Sequence, residues 1–268
     1  MSFQRDIKTE YELDKWQKVY EFVFEKSKIN PKLELYQLLY ALQMELRKKE
    51  TELVFGRKNR DIKLPLDFTL SGNQAFISNY LASCLSGIPG NVFELGSGFG
   101  RNLFWLWLSS QTRHFKLIAC EITASGRAAS ELIAGFDEKL NLETRHFDFF
   151  KPEELIADKN ENLIFTVHAI EQVPVVPSNL IEILSEKFPN SVFVHFEPLG
   201  WQISSWNGST SKFTSEAYAL EHKYNTDYFH KLLEASNKGK IIIEEVLQDE
   251  ICVNTRNGTS VIKWRPSH

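Results

Sequence analysis

The sequence is short of cysteine, of long apolar runs and of any surplus of one charge. Its three cysteines, Cys84, Cys120 and Cys252, are odd in number and widely spaced. None forms a CxxC pair, so neither a disulfide framework nor a zinc knuckle is indicated. They read as small buried hydrophobes in a reducing compartment. No apolar stretch approaches the ~20 residues that span a bilayer, and the N-terminal MSFQRDIKTEYELDK lacks the apolar core of a signal peptide. The expectation is a cytoplasmic protein with no membrane partner. With 31 Lys and Arg against 35 Asp and Glu, the net charge is -4. Without a basic excess to neutralise phosphates, no nucleic-acid partner is expected. There is no internal repeat and no low-complexity segment.

What the chain does have is apolar and aromatic matter. Its 268 residues are 43% hydrophobic, with 20 Phe and 6 Trp, enough for one sizeable core and an added cap. The first ~60 residues read as helical. Leu13, Trp16, Val19, Tyr20 and Val23 make one stripe. Asn30-Pro31 opens a second helix, with Leu35, Leu38, Leu39, Leu42 and Leu46 on its inner face. Residues 56–74 read as a loop, and 74–86 as a third helix. From Gly90 the texture becomes short apolar strands alternating with helices, the pattern of a parallel α/β sheet. Strands are expected at 91–95, 116–121, 142–147, 162–168, 191–196, 240–247 and 259–264. Helices are expected near 100–110, 126–139, 178–188 and 214–236, and the last two strands form a hairpin. The boundary implied is a helical cap over 1–88 and an α/β domain over 89–268.

The chemistry concentrates at VFELGSGFGR, residues 92–101. Gly96, Gly98 and Gly100 follow a short strand and precede an apolar helix. Glycine permits a tight turn and close approach of a ligand, and the helix N-terminus offers unpaired N–H groups. The dinucleotide fingerprint needs a further glycine at 101, where Arg101 stands. Glu94, before the turn, would repel a pyrophosphate but can accept from an ammonium. A zwitterionic amino-acid ligand is therefore favoured over a dinucleotide. At the end of the next strand, Glu121 stands where a carboxylate can take both hydroxyls of a ribose. Asp148 ends the next, with Phe149 beside it, where an acid can accept from an adenine amine and an aromatic ring can cover its face.

The order E-x-G-x-G-x-G, Glu121, Asp148, then a fourth strand ending HAIEQ resembles the class I S-adenosylmethionine-dependent methyltransferases over residues 90–268. That resemblance implies a doubly wound, mostly parallel seven-stranded α/β sheet with an antiparallel last strand. It also implies S-adenosylmethionine as cofactor, with Glu94, Gly96, Ser97, Gly98 and Gly100 at the methionine end, Glu121 at the ribose, and Asp148 and Phe149 at the adenine. HAIEQVP, HFEPLGWQ, Tyr224-Asn225 and NGTSVIKW are similar to segments of sugar O-methyltransferases.

On the acceptor side, the fourth strand delivers Thr166, His168, Glu171 and Gln172 to the carboxyl edge, and the fifth delivers His195 and Glu197. Methyl transfer to a hydroxyl needs a base near neutrality. His168 is the candidate, with Glu171 or Glu197 orienting it or holding acceptor hydroxyls. His195, within the alternating VFVHFEP, reads as a core histidine. His168, Glu171, His195 and Glu197 mix metal-ligand types, but nothing fixes their separation and no metal is assigned. Residues 198–214 read as a polar, aromatic loop whose Trp201, Trp206 and Asn207 suit a sugar, and Asn73 and Gln74 are placed near the cofactor edge. The partner expected is a small polar acceptor, such as a sugar or nucleotide-sugar. Self-association is left open. A nicotinamide-dependent oxidoreductase and a non-catalytic cofactor-binding scaffold are the alternatives.

Overall fold

The computed structural model describes residues 11–49, 52–57, 60–85, 90–109, 115–253 and 256–267, except the side chains of Leu13, Asp14, Glu52, Leu53, Phe55 and Arg57. Among the described residues no helix is long and apolar enough to cross a membrane. Seven strands form one sheet in the order β5-β4-β3-β6-β7-β9-β8. They are β3 (Val92–Leu95), β4 (Leu117–Cys120), β5 (Leu142–Arg145), β6 (Leu163–Val167), β7 (Val192–Glu197), β8 (Ile241–Ile251) and β9 (Thr259–Pro266). Pairing is parallel from β5 through β7, and β9 lies antiparallel between β7 and β8. The expected mostly parallel, doubly wound sheet with an antiparallel last strand is what the chain forms.

Alternation along the strands explains the two layers, since successive side chains point to opposite faces. Phe93, Leu95, Ile118, Cys120, Ile164, Phe193, Ile262 and Trp264 face one way. They pack on α6 (Leu180–Lys187) and α9 (Tyr228–Asn237) through Leu180, Leu184, Phe229 and Leu232. Val92, Leu117, Ala119, Leu163, Phe165, Val194 and Phe196 face the other way. They meet α4 (Arg101–Ser109), α5 (Ala124–Ala134) and the N-terminal helices α1 (Gln17–Ile29), α2 (Leu35–Leu46) and α3 (Leu66–Cys84). Central strands covered on both faces carry continuous apolar runs; β3 and β4 are buried throughout. Register pairs Phe193 with Trp264, and their rings stack 3.9 Å apart at 3°.

Several boundaries differ from expectation, some of them for a local reason. The helix after Asn30-Pro31 begins at Leu35, because Glu34 and Gln37 close a capping box there. β1 (Glu52–Arg57) and β2 (Arg60–Pro65) pair as antiparallel strands, where helix and loop were expected. Helix α3 starts at Leu66, eight residues early. Thr123 caps α5 by accepting from the Gly126 N–H, so that helix begins at 124 and ends at 134. The region 214–236 is two helices, α8 (Glu216–Glu221) and α9, separated at Lys223, whose φ is +55°. Asn225 then starts α9, its Oδ1 accepting from the Asp227 and Tyr228 N–H groups. Residues 198–214 are not a simple loop: Gly200–Asn207 is the helix α7.

Candidate functional site

The carboxyl ends of β3 to β6 open into a cavity of about 880 Å3, at the upper end of the roughly 300–1,000 Å3 typical of small-molecule sites. One wall is the glycine turn. Gly96, Gly98 and Gly100 have φ of +72°, +56° and +78°, in the left-handed region that favours glycine. Glu121 braces this turn: its Oε2 accepts from the Gly98 N–H at 2.9 Å, and its Oε1 from the Thr123 N–H and hydroxyl. Oε2 thus keeps a lone pair for a ligand hydroxyl, while Oε1 is already doubly engaged.

Glu94, the last residue but one of β3, is 1% exposed. Its Oε1 accepts from Asn102 Nδ2 at 2.6 Å. Glu94 Oε2, Ser97 Oγ and Asn102 Oδ1 are buried with no hydrogen-bond partner. Three such atoms at one turn are unusual, because buried polar groups are ordinarily satisfied. Burial pushes the Glu94 carboxyl up to about 8, against the Asn102 hydrogen bond and the nearby Arg101 charge. Asp148 and Phe149 line the next stretch of wall with Phe147, Phe150 and Ile122. Asp148 Oδ1 accepts from the Phe150 N–H, and the Phe147 and Phe149 rings meet edge to face at 4.7 Å.

At the far end, β6 passes into a turn whose first residue, His168, has φ +50°. Glu197, fully buried, fixes that turn. Its Oε1 accepts from the Ala169 and Ile170 N–H groups and its Oε2 from that of Glu171. Burial raises the Glu197 carboxyl to about 7, with His168 pulling the other way. Glu197 therefore acts on backbone behind the cavity and does not line it. Gly100 does not line it either.

His168 and Glu171 do face the cavity. His168 Nδ1 lies 3.2 Å from Glu171 Oε2, and Nε2 lies 2.7 Å from Thr259 Oγ1. Asn257 donates to the same Glu171 oxygen at 3.1 Å. Burial opposes the imidazolium, but the Glu171 carboxylate outweighs it, and the imidazole pKa is raised above its ordinary value. Both ring nitrogens have protein partners, so a proton reaches Nε2 only when the Thr259 contact yields.

His195 is elsewhere. It is 1% exposed, with Nε2 accepting from Trp264 Nε1 at 2.8 Å and lying 2.9 Å from the Tyr228 hydroxyl. An indole N–H only donates, so Nε2 is unprotonated and Nδ1–H faces Thr166 Oγ1 at 3.0 Å. Burial lowers this imidazole to about 3. Among the described residues, no group of three or more His, Cys, Asp or Glu is arranged to hold a metal ion.

Other expected contacts fall outside the cavity. Gln74 is buried against Ser78, and neither it nor Asn73 lines the wall. Trp206 packs edge-on against Phe229, and Trp201 lines a second small pocket on the other side of Glu171; neither lines the main cavity. The cavity gains walls that strand-end reasoning did not find. Tyr11, Lys15 and Trp16 close it from a π-helical turn, Glu12–Trp16, with Gln43 and Arg47 from the end of α2. That turn is tied down by Glu12, whose carboxylate accepts from the Ala124 and Ser125 N–H groups at the start of α5. A signal was available for one of these: Arg47 opens the basic run Arg47-Lys48-Lys49 that directly follows α2, although such a run reads by itself as a solvated helix end.

No protein-family model matches the chain, and no curated protein matches it. Solved structures do. A methyltransferase of Podospora anserina with S-adenosylhomocysteine bound is 9% identical, with a TM-score of 0.52 over 86% of this chain and 88% of its own. A magnesium protoporphyrin IX methyltransferase from Synechocystis, with S-adenosylmethionine bound, is 11% identical, with a TM-score of 0.47 over 74% and 81%. What the first of these establishes is architecture: the chain has the class I methyltransferase fold.

Proposed function

We propose that this chain is an S-adenosylmethionine-dependent methyltransferase acting on a hydroxyl of a small polar acceptor, such as a sugar or nucleotide-sugar. The observation that carries the reading is the trio of unpartnered buried atoms at the glycine turn, Glu94 Oε2, Ser97 Oγ and Asn102 Oδ1. The Glu94 carboxyl and the Asn102 amide oxygen, joined through the Asn102 Nδ2 hydrogen bond, fit an ammonium donor, which gives both orphaned oxygens a partner. A dinucleotide phosphate in the same place would meet Glu94. The free lone pair of Glu121 Oε2 suits a ribose hydroxyl, and Asp148 with Phe149 suits adenine. The structural neighbour from Podospora anserina, which has S-adenosylhomocysteine bound, supports the choice of cofactor.

When bound, S-adenosylmethionine supplies an electrophilic methyl group on a sulfonium. The chain's residues hold and orient the reactants around it. The Glu197 clamp fixes the turn 168–172, so that His168 and Glu171 keep their places at the acceptor end. The pair takes the hydroxyl proton: Glu171 from the cavity directly, or His168 at Nε2 once Thr259 turns aside, with Glu171 then stabilising the imidazolium. Gln172, its Nε2 bonded to Glu171 Oε1 at 2.7 Å, presents an amide to acceptor hydroxyls. Calorimetry with S-adenosylhomocysteine tests the reading. One-site binding by the wild type, abolished in Gly98→Arg, is the expected result; no binding by the wild type would refute it.

A further inference from the structure

Thr259, which faces the His168 ring, stands 91 residues further along the chain and opens β9. Its backbone is held by the sheet: it pairs with Ile251 of β8, and its neighbour Ser260 pairs with Glu197 of β7. The side chain is buried, with Oγ1 2.7 Å from His168 Nε2. Asn257, two residues earlier, donates to Glu171 Oε2 at 3.1 Å, and its Nδ2 lies 3.2 Å from His168 Nδ1.

The chemistry of these partners fixes the protons of the ring. An ionised carboxylate only accepts, and an amide N–H only donates. Nδ1 therefore carries a hydrogen toward Glu171 Oε2, 3.2 Å away, and the Asn257 amide directs its own hydrogen at the same carboxylate. A hydroxyl can do either. Thr259 donates to Nε2 while the imidazole is neutral and, after turning about its C–O bond, accepts from Nε2–H once the ring is charged. Neither state leaves a buried ring nitrogen unpaired, which would be strongly destabilising.

We infer that Thr259 is a positioning residue for His168: its hydroxyl holds the neutral ring as the Nδ1–H tautomer, with the lone pair on Nε2, and steadies the imidazolium that proton uptake creates. A general base passes through both states. Thr259 does not line the cavity, so its part in methyl transfer, which rests on the reading above, is exerted through His168. The charges facing the ring are Glu171 on its own turn, Glu197 from β7 and Arg101 from α4. Burial and Arg101 oppose the imidazolium, and the two carboxylates outweigh them.

The test is NMR on the full chain with isotopically labelled histidine, the His168 signals being assigned by their loss in His168→Gln. Above its pKa the wild-type ring should be the Nδ1–H tautomer. Thr259→Val should lower the His168 pKa by about one pH unit or more, because a hydrogen bond to the charged ring is stronger than one to the neutral ring. Thr259→Ser keeps the hydroxyl and should keep the wild-type pKa. An Nε2–H tautomer in the wild type overturns the inference. So does a pKa that is unchanged in Thr259→Val, or lowered equally in the Val and Ser variants. If circular dichroism shows that the Val variant does not fold, the wild-type tautomer alone decides. Calorimetry with S-adenosylhomocysteine on the wild type is a separate readout: failure to bind refutes the donor reading and leaves the protonation pattern of His168 standing.

Discussion

Glu94→Gln separates two effects that the site ties together. In the ligand-free protein the buried carboxyl has a pKa of about 8, so at pH 7 roughly one molecule in ten carries the charge. A donor ammonium beside it needs the ionised form, and free α-amino groups themselves lose a proton near pH 8. The competent fraction is the product of ionised Glu94 and protonated amine. It peaks near pH 8, is about threefold lower at pH 7, and is about eightfold lower again at pH 6. Calorimetry with S-adenosylhomocysteine in buffers of different ionisation enthalpy should show this decline, with close to one proton released per ligand bound at pH 7. Glu94→Gln should weaken binding by about 10- to 100-fold at pH 8, as for one hydrogen bond to a charged group, and flatten the profile between pH 6 and 7.

Stability should move the opposite way. A carboxyl whose folded pKa is raised contributes stability below its unfolded pKa of about 4.5 that is lost as pH climbs to about 8. The ligand-free Gln variant escapes that loss, so its advantage over wild type should grow with pH, to a limit of about 5 kcal/mol at pH 8. Calorimetric melting temperatures at pH 5 and pH 8 read it. Wild-type affinity that is flat between pH 6 and 7, or a Gln variant that keeps the decline, would refute the reasoning.

Other outcomes follow from the same geometry. Gly98→Ala places a methyl 2.6 Å from Trp16 Cζ2 at a φ of +56°; it should cost about 1–3 kcal/mol by thermal melting and displace the N-terminal turn. Glu12→Ala removes the acceptor for the Ala124 and Ser125 N–H groups and should cost about 1 kcal/mol, with faster S-adenosylhomocysteine dissociation in stopped flow. His195→Ala strands Trp264 Nε1 and the Tyr228 hydroxyl, for a loss of roughly 3 kcal/mol in denaturant titration and no change in ligand affinity per folded molecule. His195 is also depressed to about 3, so its contribution to stability is present above its unfolded value near 6.5 and is lost as pH falls toward 3. Glu171→Gln should lower the His168 pKa, read by NMR titration of the imidazole.

Much of the fold was legible because it rests on local pattern. Buried parallel strands write themselves as apolar runs such as VFEL and LIAC, and the glycine turn needs left-handed backbone. Glu94 and Asp148 were legible as strand-end acids lining one site, since a parallel sheet brings such ends to one edge. What was illegible depends on distant partners. Nothing near Glu197 in sequence says that its carboxylate holds the N–H groups of residues 169–171. Nothing near His168 announces Thr259 and Asn257, some ninety residues away. The antiparallel strands β1 and β2 and the break in 214–236 escaped for a further reason: short amphipathic segments fit more than one structure until packing or a positive φ decides. The N-terminal segment was legible as helical, but its contacts at Glu12, Trp16 and Arg47 were not.

The most direct test of the central claim is a crystal structure with S-adenosylhomocysteine. The account predicts its ammonium against Glu94 Oε2 and Asn102 Oδ1, a ribose hydroxyl on Glu121 Oε2, and adenine beside Asp148 and Phe149. A ligand bound away from the glycine turn, or a cavity that stays empty at saturating ligand, would contradict it.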